Sequence, residues 1–407
     1  MKKILDGYVV LDLTRFFSGP QSTLMLAGMG AEVIKIDDPK SGDPTAYAPP
    51  FAGPGGISFE QQGEQDMGLA YLKRARGKKS ATLNLKSDEG REIFLRMAAH
   101  ADVIVENFSA GVATRLGIGY EAVAAVNPRI IYCSLTGYGA TGPDRDAKAY
   151  DLMVQAAVGL VSLTGHDGGA PVKAATPLSD AIAGAMAASG VVAALLHRER
   201  TGEGQCVDVS MADCLFSLMF DEPIDCYERL GVSPRQANRA MRFSPFNVYP
   251  ATDGWVAIGA ATAPDWAALV GIMGSEFPEG HMHVGWRLAN NPAVDQAISS
   301  WTSQWPRQHI VDTLGAANVP CSTVRSIDEV MQWSQLRERQ MIVPLHNPKT
   351  GTAVAAEAPG FPLKFSRTPG SYDQPAPLPG AHSEEALGRL AGIGVEELAG
   401  LRERGVV

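Results

Sequence analysis

At 407 residues the chain has room for two domains and a large core, and its 45% hydrophobic and 19% charged residues fall in the ordinary range for a globular protein. A formal net charge of -9 argues against nucleic acid as a general partner, while leaving room for a local basic pocket that takes a phosphorylated ligand. The five cysteines (Cys133, Cys206, Cys214, Cys226 and Cys321) form no C-x-x-C pair and are odd in number, which predicts reduced, mostly buried thiols in a cytosolic protein.

The start, Met1-Lys2-Lys3, is followed by an apolar run that Asp6 and Asp12 interrupt, so Tyr8 to Leu13 reads as a first buried strand and not as a signal peptide. A turn at Thr14 to Pro20 leads into a helix over Gln21 to Met29. A second strand over Gly30 to Asp37 then completes a β-α-β unit of the kind that builds a parallel sheet. The turn has no G-x-G-x-x-G, which argues against a nicotinamide or flavin site. Asp43 to Asp66, rich in glycine and proline, reads as loop. A third strand is expected at Ala81 to Leu85. Ser87 should cap a helix running to about His100, with Asp88 and Glu89 at its positive end. Val103 to Phe108 and Ile130 to Leu135 are the fourth and fifth strands. Alternating strands and helices over the first 200 residues imply a doubly wound α/β domain, whose ligands sit at the carboxyl ends of the strands. The expected site is therefore in the loops after Leu13, Val105 and Leu135.

Ala181 to Leu196 is uncharged, rich in alanine and glycine, and too short to span a bilayer comfortably; it reads as a tightly packed core helix. From about Cys226 the pattern changes. Thr252-Asp253-Gly254 between two apolar runs signals a hairpin, and helical stretches follow at Trp266 to Met273 and Val294 to Thr302. Pro344 to Pro379 reads as an extended strap, and two short helices close the chain. The expected division is a large α/β domain over 1–225, a smaller α+β domain over 226–330, and a C-terminal strap with helices over 331–407. His166, His197, His281 and His283 have no metal-ligand spacing, so no metal site is expected.

The chemistry centres on Lys148-Ala149-Tyr150-Asp151, an acid at the mouth of the apolar run Leu152 to Gly159. Read locally, Asp151 is a helix N-cap, and so is Asp180 ahead of Ala181. Before Asp151 lies the glycine-broken turn Thr136 to Gly142, and the only dense basic cluster is Lys73-Arg74-Ala75-Arg76-Gly77-Lys78-Lys79. The order Ala-Tyr-Asp, Gln-Ala and Gly, followed by Leu196-His197-Arg198-Glu199-Arg200-Thr201-Gly202-Glu203-Gly204-Gln205, resembles the class III CoA-transferases, the family of formyl-CoA transferase and the carnitine CoA-transferases. The resemblance covers nearly the whole chain and is strongest from residue 4 to 215.

This resemblance implies a Rossmann-like large domain plus a smaller domain, in subunits interlocked as a homodimer in the cytoplasm. It implies a CoA-transferase that takes CoA thioesters and carboxylic acids as substrates, with no permanently bound cofactor and no nucleic acid or membrane partner. Asp151 would be the nucleophile. CoA contacts would fall on Arg15, Phe16 and Ser18, on Arg76, Lys78 and Lys79 as a phosphate clamp, on Asn107, Phe108 and Arg115, and on Thr136, Gly137 and Tyr138, whose backbone N–H groups would serve an oxyanion. Phe17 stands where formyl-CoA transferase has a glutamine, and Asp38 where it has an arginine. Arg239 to Ser244 lies where it has a polyglycine loop. These departures point away from formyl and oxalate substrates. Arg15, Arg239 and Arg242 are candidate partners for a second carboxylate, as in succinate, mesaconate or itaconate. The alternative within the same fold is a 2-methylacyl-CoA racemase. Those enzymes carry His-Asp where this chain has Tyr150-Asp151, and a tyrosine titrating near pH ~10 is a poor α-proton base. A third reading, a non-catalytic CoA-binding subunit, sits badly with the intact Asp151.

Overall fold

The computed structural model describes residues 2–372 and 374–407. The chain forms two compact units: Met1–Val158 with Ala175–Leu218 and Ser334–Val407, and Gly159–Ala174 with Met219–Trp333.

The first unit is built on a six-stranded parallel sheet. Its spatial order is Lys79–Thr82, Glu32–Asp37, Val9–Asp12, Val103–Glu106, Ile131–Thr136, Gln205–Ser210. Numbered along the chain within this sheet, the order is 3-2-1-4-5-6, the doubly wound arrangement. The strand order reverses between Val9–Asp12 and Val103–Glu106, so the loops leaving these two strands diverge and open a crevice at their carboxyl ends. Buried aliphatic residues from both faces explain why these strands read as continuous apolar runs: Leu11, Ile34, Ile104 and Ile131 are fully buried. Ser87 caps the Asp88–Ala98 helix, its hydroxyl accepting from the Gly90 N–H.

The Leu178–Thr201 helix has 24 residues, more than the uncharged stretch alone indicates, and by length and composition it could cross a membrane. Its packing assigns it to the core instead. Ala183, Gly184, Ala187, Ala188 and Val191 are buried where the helix lies against the Ser18–Gly28 helix and the Gln205–Ser210 strand. Gly184 permits the close approach, because a Cβ there would sit 2.7 Å from the Ser18 carbonyl oxygen.

The C-terminal segment belongs to the same unit. Residues 380–383 run along the outer edge of the Lys79–Thr82 strand: Gly380 N–H donates to Ser80 Oγ, Ser80 N–H to His382 Nδ1, and Thr82 N–H to Ser383 Oγ. A sheet edge that would otherwise be open is thereby paired and covered. The Ser383–Ala391 helix then packs on the Asp88–Ala98 helix.

Two stretches expected to be irregular contain strands. Phe51–Gly53 and Gly56–Ser58, inside what reads as loop, make a small antiparallel sheet with Met67–Gly68 just after it. Ile342–His346 pairs with Ala353–Pro359 inside the strap. Strands of two or three residues carry too little periodicity to register, and Pro344 disguises the second pair; a proline is tolerated because this sheet has only edge strands. The thiols also depart from expectation. All five cysteines are free, but only Cys133 is buried, and Cys206 is exposed.

The second unit holds the antiparallel sheet Phe246–Ala251, Gly254–Gly259, Cys321–Thr323, with the two-residue turn at Thr252-Asp253. Its core is Trp266, Tyr249, Ile258, Leu269, Ile298 and Leu314.

Candidate active site

The crevice at the strand-order reversal holds a cavity of about 360 Å³, lined from the first unit by Phe16 and Ser18, Asn107 to Ala110, Leu135 to Gly137, Arg145, Ala147 to Tyr150, Asp180 and Met211. All three loops singled out at the strand ends reach it. A second cavity of about 480 Å³ shares Phe108, Ser109, Ala110, Thr136 and Arg145 with the first and adds Arg115, Glu106 and Tyr132. Among the residues expected at the site, Phe16, Ser18, Asn107, Phe108, Thr136 and Gly137 line the first cavity, and Arg115 lines the second. Arg15 and Tyr138 lie on the same loops without lining either.

The first loop is fixed from below by buried charge. Asp12 is fully buried and accepts from Thr14 N–H at 2.9 Å, Thr14 Oγ1 at 2.5 Å and Thr23 Oγ1 at 2.7 Å. Lys78 Nζ lies 2.9 Å from Asp12 Oδ2, and Lys35 Nζ donates to the Thr14 carbonyl at 2.7 Å. Burial pushes the Asp12 carboxyl up, but the charges of Lys78 and Lys35 outweigh it and hold the group below its ordinary value; burial also pushes the Lys78 ammonium down, and the Asp12 charge at 2.9 Å opposes this. From the side, Asn107 closes a two-bond clamp on Arg15: its Oδ1 accepts from the Arg15 N–H and its Nδ2 donates to the Arg15 carbonyl, both at 2.8 Å. Phe16, exposed at the cavity, is held at φ 69, a strained left-handed conformation for a non-glycine residue; Arg74 donates to its carbonyl at 2.7 Å.

The basic run does not form one surface. It spans a helix end, a turn and the start of the Lys79–Thr82 edge strand, so its side chains diverge. Lys78 points into the core. Arg76 is buried, donates to the Lys73 and Pro359 carbonyls and covers the Tyr372 ring; burial pushes its guanidinium down to about 10. Lys79 pairs with Glu32 and Glu385. None of the three lines either site cavity.

Asp151 is not the cap of its helix. Tyr150 holds the N-cap position and Asp151 is the first residue of the Asp151–Ala157 helix. The carboxylate is gripped instead by long-range partners: Oδ1 accepts from Ser179 Oγ at 2.6 Å and Ser179 N–H at 2.9 Å, and Oδ2 accepts from Gln155 Nε2 at 2.7 Å. Ser179 and Gln155 are both fully buried, while Asp151 is half-exposed at the end of the loop that lines the cavity. Asp180 is not a cap either; Pro177 has that position, and Asp180 lies in the first turn of the Leu178–Thr201 helix, facing the cavity. Gly137 packs so tightly on the loop before Asp151 that a Cβ there would meet the Ala149 Cβ at 2.2 Å. The i, i+4 spacing of Asp151 and Gln155 was a usable signal for that pair. Ser179, 28 residues away, gave none.

Three comparisons place this geometry. The model of CoA-transferase family III matches residues 5–383. Over 400 residues the chain is 33% identical to the succinate–glutarate CoA-transferase of Agrobacterium fabrum, covering 96% of this chain and 97% of the other. It is 35% identical to the succinyl-CoA:mesaconate CoA-transferase of Haloarcula marismortui, with coverages of 94% and 95%, and 36% identical to the acetyl-CoA:oxalate CoA-transferase of Acetobacter aceti, with 92% of each. The crystal structure of a CaiB/BaiF family protein from Brucella suis superposes with a TM-score of 0.80 at 29% identity, over 96% of this chain and 100% of that one. The chain belongs to CoA-transferase family III and is an enzyme of the acyl-CoA:carboxylate CoA-transferase class.

Two expectations follow from the hydrogen bonds alone. Ser179→Ala removes the 2.6 Å bond to the Asp151 carboxylate and keeps the backbone N–H. A hydrogen bond to a charged group contributes about 1.5–3 kcal/mol, so kcat should fall roughly 10- to 100-fold with little change in KM, read by steady-state CoA exchange.

Glu106, 4% exposed, accepts from the Phe108 N–H at 2.7 Å and so holds the turn that both cavities share; burial raises its carboxyl from 4.5 to about 6, opposed by bonds from Ser134 and Phe108. The folded state therefore holds this proton to higher pH than the unfolded state, and stability is lost as pH rises from about 4.5 to about 6. The loss is about 2 kcal/mol and is constant above that window. Glu106→Gln should be flat there, so its stability relative to wild type should rise by that amount across the window, measured by denaturant unfolding at pH 4 to 7.

Proposed function

We propose that this enzyme moves CoA from an acyl-CoA to a short dicarboxylic acid of the succinate, mesaconate or itaconate type, through covalent intermediates on Asp151. The observation that carries the reading is the Asp151 carboxylate, oriented by three hydrogen bonds from Ser179 and Gln155 and placed directly after Tyr150, which lines the cavity formed by the strand-end loops. A carboxylate is the natural temporary carrier in exchange between two acids, because it forms an anhydride with the acyl group and a thioester with CoA. Asp151 attacks the donor thioester and releases CoA, whose sulfur then attacks the Asp151 carbonyl and frees the donor acid. The acceptor acid repeats the sequence in reverse. Each addition passes through an oxyanion, for which the backbone N–H groups of Thr136 and Gly137, which line the cavity, and of the adjoining Tyr138 are the candidate donors.

CoA is assigned to Arg15, Phe16 and Ser18, Asn107 and Phe108, with Arg115 in the adjoining cavity for its phosphates. Arg239 and Arg242 are engaged by Asp295 and Glu222; Lys148, which lines the cavity, is the first candidate for a second substrate carboxylate, with Arg145 on the same wall but 3.3 Å from Asp146. The names of the mesaconate and glutarate enzymes among the relatives support a dicarboxylic acceptor.

The reading extends to a homodimer in the cytoplasm with no resident cofactor. Leu152, Met153, Met186, Leu196, Phe216 and Leu218 are each between 39% and 52% exposed, an apolar surface suited to a second copy, and five unpaired thiols fit a reducing compartment.

The test is an acceptor screen in D₂O, with succinyl-CoA and acetyl-CoA as donors against succinate, mesaconate, itaconate, glutarate and oxalate. The expected result is exchange with a dicarboxylic acid of four or five carbons and no deuterium at the α-carbon. Deuterium uptake into a 2-methylacyl-CoA without any acceptor acid would replace transfer by racemisation.

A further inference from the structure

Two carboxyls stand together at this site. Asp151 is held as an acceptor by three donors. Asp180 follows Ser179 directly, so the residue that fixes Asp151 also fixes where Asp180 points, which is into the cavity. Its partner is Ser18, whose hydroxyl and backbone N–H hydrogen-bond to it. The close packing that Gly184 allows between the two helices brings Ser18 within reach.

We propose that Asp180 is the acid–base group of the transfer, giving a proton to the CoA sulfur as it departs and taking it back before the sulfur attacks. This deepens the Asp151 reading and rests on it. The balance is as follows. Asp151 attacks the thioester carbon, the C–S bond breaks with its electron pair on sulfur, and the Asp180 carboxylic acid transfers its proton to that sulfur, leaving CoA thiol and an Asp180 carboxylate. In the next step Asp180 removes the proton as sulfur attacks the Asp151 carbonyl, the anhydride C–O bond breaks, and the donor acid leaves as its carboxylate. Acceptor entry repeats both proton transfers, so the cycle consumes no proton.

The electrostatics suit the sequence of events. Burial raises the Asp180 carboxyl and the Asp151 charge raises it further, against Ser18 and the nearby Arg74; Arg145 and Lys148 are the other charged groups on the cavity wall. The Asp180 carboxyl therefore holds its proton to higher pH while Asp151 is a free carboxylate than once Asp151 is acylated. When Asp151 becomes an anhydride its charge disappears, and Asp180 becomes the stronger acid at the moment the thiolate needs a proton.

The experiment compares acylation of wild type, Asp180→Asn and Asp180→Ala by an acyl-CoA and by the thiophenyl ester of the same acid, whose thiolate leaves without protonation. Single-turnover release of thiol is the readout. Asp180→Asn should slow release from the acyl-CoA by about 10²-fold. With the thiophenyl ester the loss should shrink to a few-fold. The wild-type rate with acyl-CoA should fall as pH rises through the Asp180 ionisation, and the Asn profile should be flat. Equal losses with both esters, or no loss with either, would overturn the proposal. Asp180→Ala, which removes the Ser18 bond as well, should lose the same factor; normal release from acyl-CoA by either variant also overturns it. Failure of the Asp151 reading is distinguishable, because Asp151→Asn would then still release thiol from both esters.

Discussion

Asp151→Asn should lose CoA exchange by at least about 10⁴-fold, the scale seen when a covalent nucleophile is removed from an otherwise intact site. The amide cannot form an anhydride; its oxygen still accepts from Ser179 N–H and Oγ, so Ser179 keeps its partner, while its NH2 replaces the oxygen that accepted from Gln155 Nε2. Asp151→Ala should be as inactive but also less stable, because the fully buried Ser179 N–H is left without an acceptor at a cost of about 1–3 kcal/mol. Steady-state exchange and denaturant unfolding of the two variants separate the chemical role from the structural one.

Lys78→Met should destabilise the protein by about 3–5 kcal/mol, because it leaves the fully buried Asp12 charge without its closest cation. Exchange should fall as well. Asp12 holds Thr14 and Thr23, and through them the loop that carries Phe16 and Ser18 to the cavity. A phosphate-binding lysine would behave differently. Its loss would raise KM for full CoA esters, spare pantetheine esters and leave stability unchanged. Unfolding midpoints together with KM for both ester types decide between the two.

These two sites show what the sequence could and could not carry. Periodicity located five of the six parallel strands, four to within two residues and the third to within three, since Leu11, Ile34 and Ile104 are buried from both sides and have to be apolar; the Gln205–Ser210 strand was not among those expected. Local chemistry gave Ser87 as a cap and the hairpin at Thr252-Asp253-Gly254, because both are decided within four residues. The strand-end rule singled out three loops, and Phe16, Asn107 and Gly137 from them all reach one cavity. What escaped was whatever depends on distance. Nothing near Asp151 announces Ser179, so a preference for aspartate at N-caps stood in for its actual partners. Lys78 read as part of a phosphate clamp because its burial is set by Asp12, 66 residues earlier. Charge density along a chain does not show which side chains turn inward.

The most direct test of the covalent route follows one oxygen atom. When the acceptor carboxylate attacks the Asp151 thioester, one of its oxygens becomes the bridge of the anhydride. When CoA sulfur then attacks the acceptor carbonyl, that oxygen stays on Asp151. A single turnover, with acyl-CoA limiting relative to enzyme and an acceptor acid labelled in both carboxylate oxygens with heavy oxygen, followed by digestion and mass spectrometry, should find one heavy oxygen in the peptide containing Asp151. Repeated turnover should add the second, because each cycle exports one Asp151 oxygen in the donor acid and imports one from the acceptor. Turnover that leaves this peptide unlabelled would contradict the account.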